Sequence, residues 1–400
     1  MSGRKIRLGV AGLGRAFTLM LPTFAADRRI QLAAASDLRA EARQRFAADF
    51  DAPAFASVEE LCAQTDLDAI YVATPHQMHA EHTVIAARHG KHVLVEKPMA
   101  IALPECNQMI AAMREAGTHL VVGHSHSFNA PLLHARRLID SGVFGVVRMI
   151  HAMNFTDYMV RPRRPEELDT ALGGGVMFSQ AAHQIDIVRL LGGGLVRSVR
   201  AATGRWDTSR PTEGAYSALL TFENGCFASC TYNGYAHFDS DEYQGWIGEM
   251  GTPKDPARYG ALRRQLQAAS GTDDEAAMKA ARNYGGRDYT AATPESAERH
   301  HQHFGPVIIS CDRADLRPGP KGVAIHADED VRFETTPVPD IARSEVIDEL
   351  YSAIVDGQPP LHDGEWSRAT LEVCLAMLTS AQTQRDVTLQ CQVSLTGRRG

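Results

Sequence analysis

The chain has 400 residues, 44% of them hydrophobic and 22% charged, a composition that fits a soluble globular protein long enough for two cores. Its 41 basic and 48 acidic residues leave a net charge of −7, which gives a nucleic-acid partner no electrostatic footing, and no apolar run approaches the ~18 residues of a membrane span. The N-terminus carries no signal-like apolar stretch and the seven cysteines show no ligand spacing backed by a second Cys/His pair, so buried thiols in a reducing cytoplasm, and no metal, are the expectation.

In chain order, short apolar runs alternate with amphipathic stretches over the first 125 residues. "IRLGVAG" reads as a strand and "RAFTLMLPTFAAD" as the helix after it. "IQLAAASD" and "RAEARQRFAADF" repeat the unit. "DAIYVATP", "HVLVEKP" and "HLVVGHS" are further buried strands, the first two separated by "QMHAEHTVIAARHG". Near-continuous apolar strands alternating with helices predict a parallel sheet covered on both faces. Gly12 allows a tight turn out of the first strand, and Gly14 allows close backbone approach to a pyrophosphate at the first helix N-terminus. Phe17 stands where the fingerprint has its third glycine, which implies altered helix packing. Asp37 ends the second strand, where a carboxylate binds the ribose diol of NAD and repels the 2′-phosphate of NADP; Arg39, close by, keeps NADP open. Asp37 also suits a helix N-cap.

The stretch "VATPHQMHAEHTVIAARHGKHVLVEKPMA" resembles the signature of the Gfo/Idh/MocA oxidoreductases. The similarity runs from Lys5 to about Gly145 and resumes at "GGGVMFSQAAHQIDIVRLLGG", residues 173–193. The resemblance implies an α/β protein: an N-terminal Rossmann domain, residues 1–125, and a C-terminal α/β domain, residues 126–400, with a large open, mostly antiparallel sheet. It implies nicotinamide between the two, and Arg15, Ala16, Thr74, Pro75, His79 and Glu96 as further cofactor contacts. It implies that Lys97 meets the substrate hydroxyl beside the nicotinamide, with Pro98 stiffening the backbone next to it. A partly desolvated amine there has a lowered pKa and exchanges a proton with the substrate oxygen while hydride leaves. The bland reading is a structural Glu96–Lys97 ion pair.

In the second similar stretch, His183 stands at the family's histidine and Asp186 at its later aspartate, while Ser179 replaces the first acidic residue. Ser179 and His183 are i and i+4, on one helix face, so a proton relay rests on His183 and Lys97. In "GHSHSFNAP", His124, His126, Ser127 and Asn129 replace the arginine common in sugar-handling members. "RPRRPEELD" holds Arg161, Arg163 and Arg164, whose forks match carboxylates, or else balance Glu166, Glu167 and Asp169 in a solvated loop.

The remaining strands are "VRMIHAMNF", "VRSVRAATG", a hairpin turning at "FENGCF", and "VIISCDRADLRP". A polar segment at about residues 251–304 interrupts them and is absent from compact family members; such excursions serve as lids, interface arms or mobile elements. "FTDYMVRPRRPEELDTALGGG", "DSDEYQGWIGEMG" and "FGPVIISCDRADLRPGPKGV" resemble the family's aromatic-catabolism branch. That branch oxidises a carboxylated cis-dihydrodiol, such as cis-4,5-dihydroxy-4,5-dihydrophthalate, to the aromatic diol with NAD⁺. The alternatives are a sugar, inositol or sugar-acid dehydrogenase and a non-catalytic NAD sensor. The expected partners are a small, carboxylated substrate and further copies of the chain in a homodimer or homotetramer, with no nucleic acid and no membrane.

Overall fold

The computed structural model describes residues 4–268, 272–290 and 298–395; positions 269–271 and 291–297 of the segment expected at 251–304 lie outside these. The first part alternates strand and helix: β1 (Ile6–Ala11), α1 (Arg15–Ala26), β2 (Ile30–Ser36), α2 (Ala40–Phe50), β3 (Ala54–Phe55), α3 (Val58–Cys62), β4 (Ala69–Val72), α4 (His79–Arg88), β5 (His92–Val95), α5 (Leu103–Glu115) and β6 (Leu120–Val122). The strands lie parallel in the order β3-β2-β1-β4-β5-β6. This is the doubly wound order, with its switch point between β1 and β4. Every residue of β4 and the last three of β5 are buried, as expected of strands covered on both faces.

The second part contains α6 (Ala130–Asp140), β7 (Val147–Phe155), α7 (Ala182–Gly192), β8 (Val196–Gly204), β9 (Ala215–Phe222), β10 (Phe227–Asn233), α8 (Ala261–Gln267), α9 (Thr272–Ala281), β11 (Val307–Cys311), β12 (Ala314–Gly319), β13 (Gly322–Ala327), β14 (Val331–Thr335), α10 (Ser344–Tyr351), α11 (Gly364–Thr383) and β15 (Val387–Thr388). Nine strands form one sheet, β14-β13-β12-β11-β7-β10-β9-β8-β15, antiparallel throughout except at β7/β10. The run "VIISCDRADLRP" is two strands rather than one, because Asp312 turns the chain and accepts Val146 N at 2.9 Å and Arg148 Nε at 2.6 Å. The Asn224-Gly225 turn joins β9 to β10, with Gly225 at φ +84°.

Helix α11 sits between the two sheets, against β6 and α5 on one side and α7 and β8 on the other. Asp363 caps it by accepting Trp366 N at 2.8 Å, and Trp366 is fully buried. The fold therefore brings the carboxyl ends of the parallel strands up against α7, which carries His183. Cys226 and Cys230 are both buried, and burial pushes their thiols up to about 11 and about 12, so they pack as small apolar side chains. Among the described residues no helix is long and apolar enough to cross a membrane.

Candidate active site

The crevice at the switch point begins with two glycines. Gly12 adopts φ +94°, and a Cβ there would lie 2.8 Å from Ala73 O, so the turn out of β1 admits only glycine. Gly14 is the N-cap of α1 with no side-chain cap, and its Cβ position is open space. The first N–H groups of α1, where Arg15 and Ala16 stand, thus face outward without an internal partner. That cradle fits a pyrophosphate. Asp37 follows β2 and accepts Leu13 N at 2.8 Å and Arg39 N at 2.8 Å. The Arg39 side chain donates to Asp37, to Leu13 O at 2.8 Å and to Tyr284 O at 3.2 Å. Most of its donors are committed, so Arg39 serves as counter-ion to Asp37 rather than as a free 2′-phosphate receptor.

Two loops leave the ends of β4 and β5. His79, fully buried, lies between Thr74 O and Pro98 O, 2.9 Å from each. Burial pushes its pKa down to about 4, so at neutral pH the ring has one N–H, donates to one of these two carbonyls, and packs between the two loops. His79 is therefore not positioned as the direct cofactor contact the sequence suggested; Thr74 and Pro75 form the rim it supports. Thr74 Oγ1 is 2.9 Å from His82 Nδ1. The Glu96 carboxyl accepts Tyr71 OH at 2.6 Å, and burial raises its pKa.

Lys97 makes no ion pair with Glu96. Its Nζ donates to Ser179 O at 2.8 Å, bridging from the Rossmann strand to the helix that bears His183. Burial lowers the Lys97 pKa, against the raising charges of Glu96 and Glu249. Ser179 lies in a π-helical turn, Met177–Ala181, that runs into α7. Its side chain accepts Tyr158 OH at 2.6 Å and donates to Gly175 O, so Ser179 offers the site its carbonyl, not its hydroxyl. His183 is 6% exposed, and its Nδ1 has no hydrogen-bond partner. Burial, then the charge of Lys97, holds its pKa well below 6.5. An unpartnered buried nitrogen beside a desolvated amine is a costly arrangement for structure alone.

His126 stacks edge-on to His183 with centroids 4.8 Å apart, and Phe304 lies 5.2 Å from His183. His126 Nε2 is 3.3 Å from Glu249 Oε1, and Asn129 Nδ2 is 3.1 Å from His126 Nδ1. Burial raises the Glu249 carboxyl, but His126 and Arg161 bring it down to about 2, leaving it ionised. His124 stacks near Phe128 and keeps Nε2 unpartnered.

The arginine cluster divides. Arg164 is engaged by Glu166 at 3.1 Å and Glu167 at 3.5 Å, the balanced-loop alternative. Arg163 lies 3.6 Å over the Tyr158 ring and donates to Tyr158 O at 2.9 Å, so it supports Tyr158. Arg161 pairs with Asp157 at 3.2 Å and is also within the field of Glu249. Asp186 departs furthest from expectation. Buried at 5% exposure, it accepts Ser127 Oγ, Trp366 Nε1 at 2.7 Å and Thr370 Oγ1 at 2.9 Å. It fastens α7 to α11, and both of its acceptor oxygens are committed to these donors. Residues the sequence did not single out also reach the site: Tyr158, Glu249, Phe304 and Arg343. Tyr158, Glu249 and Phe304 fall in the three stretches that resemble the aromatic-catabolism branch, Arg343 falls in none, and only folding makes the four neighbours.

The buried imidazoles predict an acid limit. Burial takes His76 to about 3 and His79 to about 4, and holds His124 and His183 well below 6.5. In the unfolded chain each binds a proton near 6.5, so the unfolded state gains protons the native state refuses, and stability is lost as pH falls below that value. The urea midpoint is expected to be flat at neutral pH and to drop toward about pH 5. A midpoint constant across that range would contradict it.

The fold and crevice define a dinucleotide-dependent oxidoreductase. A family model described as "Oxidoreductase family, NAD-binding Rossmann fold" matches residues 6–124, and one described as "GFO/IDH/MocA C-terminal domain" matches 132–252. A 1-carboxy-3-chloro-3,4-dihydroxycyclo hexa-1,5-diene dehydrogenase from Comamonas testosteroni is 48% identical over 398 residues, spanning 98% of this chain and 100% of its own. A candidate dehydrogenase from Bordetella bronchiseptica RB50 of known structure superposes with a TM-score of 0.90 at 41% identity, over 96% of this chain and 100% of that one. The WlbA dehydrogenase of Bordetella pertussis, solved with NADH and UDP-GlcNAcA, shares the fold at TM-score 0.67 and 22% identity, over 97% and 99% of the two chains. The chain belongs to the Gfo/Idh/MocA oxidoreductases and is an NAD-dependent oxidoreductase.

Proposed function

We propose that the protein oxidises a carboxylated cis-dihydrodiol to the aromatic diol, with cis-4,5-dihydroxy-4,5-dihydrophthalate as the leading substrate. The observation that carries this reading is Lys97 Nζ, desolvated and tethered to Ser179 O at 2.8 Å on the segment leading to His183. The Comamonas testosteroni relative is named for a carboxylated dihydroxycyclohexadiene, which supports the same substrate class. Gly12, Gly14, Arg15, Ala16, Asp37, Thr74 and Pro75 would hold NAD⁺, which supplies the hydride acceptor.

Lys97, in its neutral form, takes the hydroxyl proton as the C–H bond on the same carbon gives up its hydride. The C–O bond becomes a carbonyl, and the lysine becomes an ammonium that Ser179 O and the Glu96 and Glu249 charges stabilise. His183 orients the neighbouring hydroxyl through its unpartnered nitrogen. The ring ketone then loses its remaining ring proton beside the second hydroxyl and gains one on oxygen, and aromaticity drives the sequence forward. Neutral His124 and His126 and the cationic Arg161 provide donors for a ring carboxylate. We also infer that a second copy covers the open face of the nine-stranded sheet, where Met149, Leu219, Phe227 and Ile308 are 39–47% exposed.

The test is NADH formation with cis-4,5-dihydroxy-4,5-dihydrophthalate, a monocarboxylated dihydroxycyclohexadiene, and a panel of inositols and sugar acids. The carboxylated diols are expected to give the highest kcat/KM. A cyclitol or sugar acid turned over faster would remove the proposal.

A further inference from the structure

A chain of contacts that ends on Lys97 begins in the inserted segment. Glu275 of α9 is buried. It accepts Arg163 N at 2.9 Å and Arg210 Nη2 at 2.6 Å, and Lys279 of the same helix pairs with Glu167. Just past its end the segment is held a second time, by the Rossmann domain. There Tyr284 is fully buried, its hydroxyl donates to Asp49 of α2 at 2.7 Å, and its ring meets Phe17 of α1 edge-on at 5.3 Å. Phe17, in place of the fingerprint's third glycine, is thus one half of a docking contact.

From Glu275 the contacts lead inward. Arg163, whose N–H that carboxylate holds, places its guanidinium 3.6 Å over the Tyr158 ring and donates to Tyr158 O at 2.9 Å. A cation stacked on an aromatic face favours one placement of the ring. Tyr158 OH donates to Ser179 Oγ at 2.6 Å, and Ser179 Oγ donates to Gly175 O. Gly175 adopts φ +77°, and a Cβ there would strike Thr212 Oγ1, so the foot of the turn is also set. Between Gly175 and Tyr158, the π-helical turn presents Ser179 O to Lys97 Nζ at 2.8 Å and to Gln180 Nε2 at 3.1 Å. Single π turns are rare and occur frequently at functional sites.

We propose that Tyr158 is a positioning residue for Lys97: through Ser179 it aims the carbonyl that holds the amine, and α9 of the inserted segment buttresses it through Glu275 and Arg163. The inference rests on Lys97 as the base of the proposed reaction. A base must lie within hydrogen-bond reach of the proton it takes, and a misplacement of about 1 Å costs about 100-fold in rate. Ser179 stands where the resemblance places an acid facing substrate. Here its hydroxyl is spent on Tyr158 and Gly175, and the pair supplies a backbone contact to the lysine instead.

Steady-state kinetics of the full-length protein test this, with whichever compound of the diol and cyclitol panel gives the highest kcat/KM. Tyr158→Phe keeps the ring and its stack, and is expected to lower kcat about 10- to 100-fold with KM and NADH affinity within about twofold of the parent. Ser179→Ala should match it, and the double variant should be no slower than either single one, because both break the same link. Glu275→Gln should lower kcat about threefold or more. Additive losses in the double variant, or a raised KM with kcat intact, would place the Tyr158 hydroxyl on substrate and overturn the positioning role. A normal kcat with a lower melting temperature would show a structural link only and also overturn it. An unchanged kcat in Glu275→Gln would overturn the part given to α9. Lys97→Met separates this inference from the one beneath it. Near-normal turnover there removes the base itself, whereas an inactive Lys97→Met beside a fully active Tyr158→Phe removes only the positioning.

Discussion

Lys97→Met is expected to lower kcat about 10²- to 10⁴-fold, or about 3 to 5 kcal/mol of barrier, while NADH binding stays within about twofold of the parent protein. Methionine preserves the length and apolar stem of the lysine but has no proton to exchange and no bond to give Ser179 O. Lys97→Arg keeps the charge and the reach, yet a guanidinium does not lose its proton in the working range, so it should be about as damaged as methionine. That comparison separates a base from a mere cation. The pH profile carries the same information: burial sets the Lys97 pKa below 10.5, and the neutral amine is the active form. kcat/KM should therefore rise with pH through that lowered value and level off below 10.5. Near-normal turnover by Lys97→Met would sink the catalytic assignment whatever the substrate.

The second large effect is on stability. Asp186→Ala is expected to destabilise the protein by about 3 to 5 kcal/mol, because it strands several buried donors at once. Ser127 Oγ, Trp366 Nε1 and Thr370 Oγ1 all donate to this carboxylate. Arg189 stacks 4.0 Å over Trp366 and donates to Thr370 Oγ1 at 2.8 Å, so the loss spreads into the contact between α7 and α11. Asp186→Asn should fall between, since an amide keeps one acceptor and turns a donor toward groups that are themselves donors. The urea midpoint reads the outcome. An unchanged midpoint with a raised KM would restore Asp186 to the substrate-binding role that its place in the motif suggested.

The contrast between Lys97 and Asp186 shows how far the motifs could be read. Both stand at recognisable positions, yet a motif states residue type and spacing, not what lies across the gap. For Lys97 the local signal was strong: two charged residues and a proline end an apolar strand, and the alternative of a Glu96–Lys97 ion pair is not what the fold forms. For Asp186 the deciding partners are Trp366 and Thr370 in α11, some 180 residues on. The arginines of "RPRRPEELD" split for a similar reason. Arg164 finds its carboxylates within three residues, a pairing visible in the sequence, whereas Arg163 turns onto the Tyr158 ring. Ser179 looked like a lost acid on a helix face; the π-helical turn gives its carbonyl to Lys97 and its hydroxyl to Tyr158.

By itself, the sequence determined the parallel doubly wound sheet, the glycine turn at Gly12 and Gly14, the carboxylate after the second strand, and the two segments holding Lys97 and His183. The strands, their helices and the glycine turn follow from periodicity and a few adjacent residues, where short-range sterics and hydrogen bonding act, whereas the roles of the Lys97 and His183 segments came from the family resemblance. Only the tertiary structure decided that Asp186 is a strut, that Glu249 faces His126, and that Tyr284 locks onto Phe17. Those pairings depend on burial and on fields between groups hundreds of residues apart, and such energies exist only once the core has closed and excluded water.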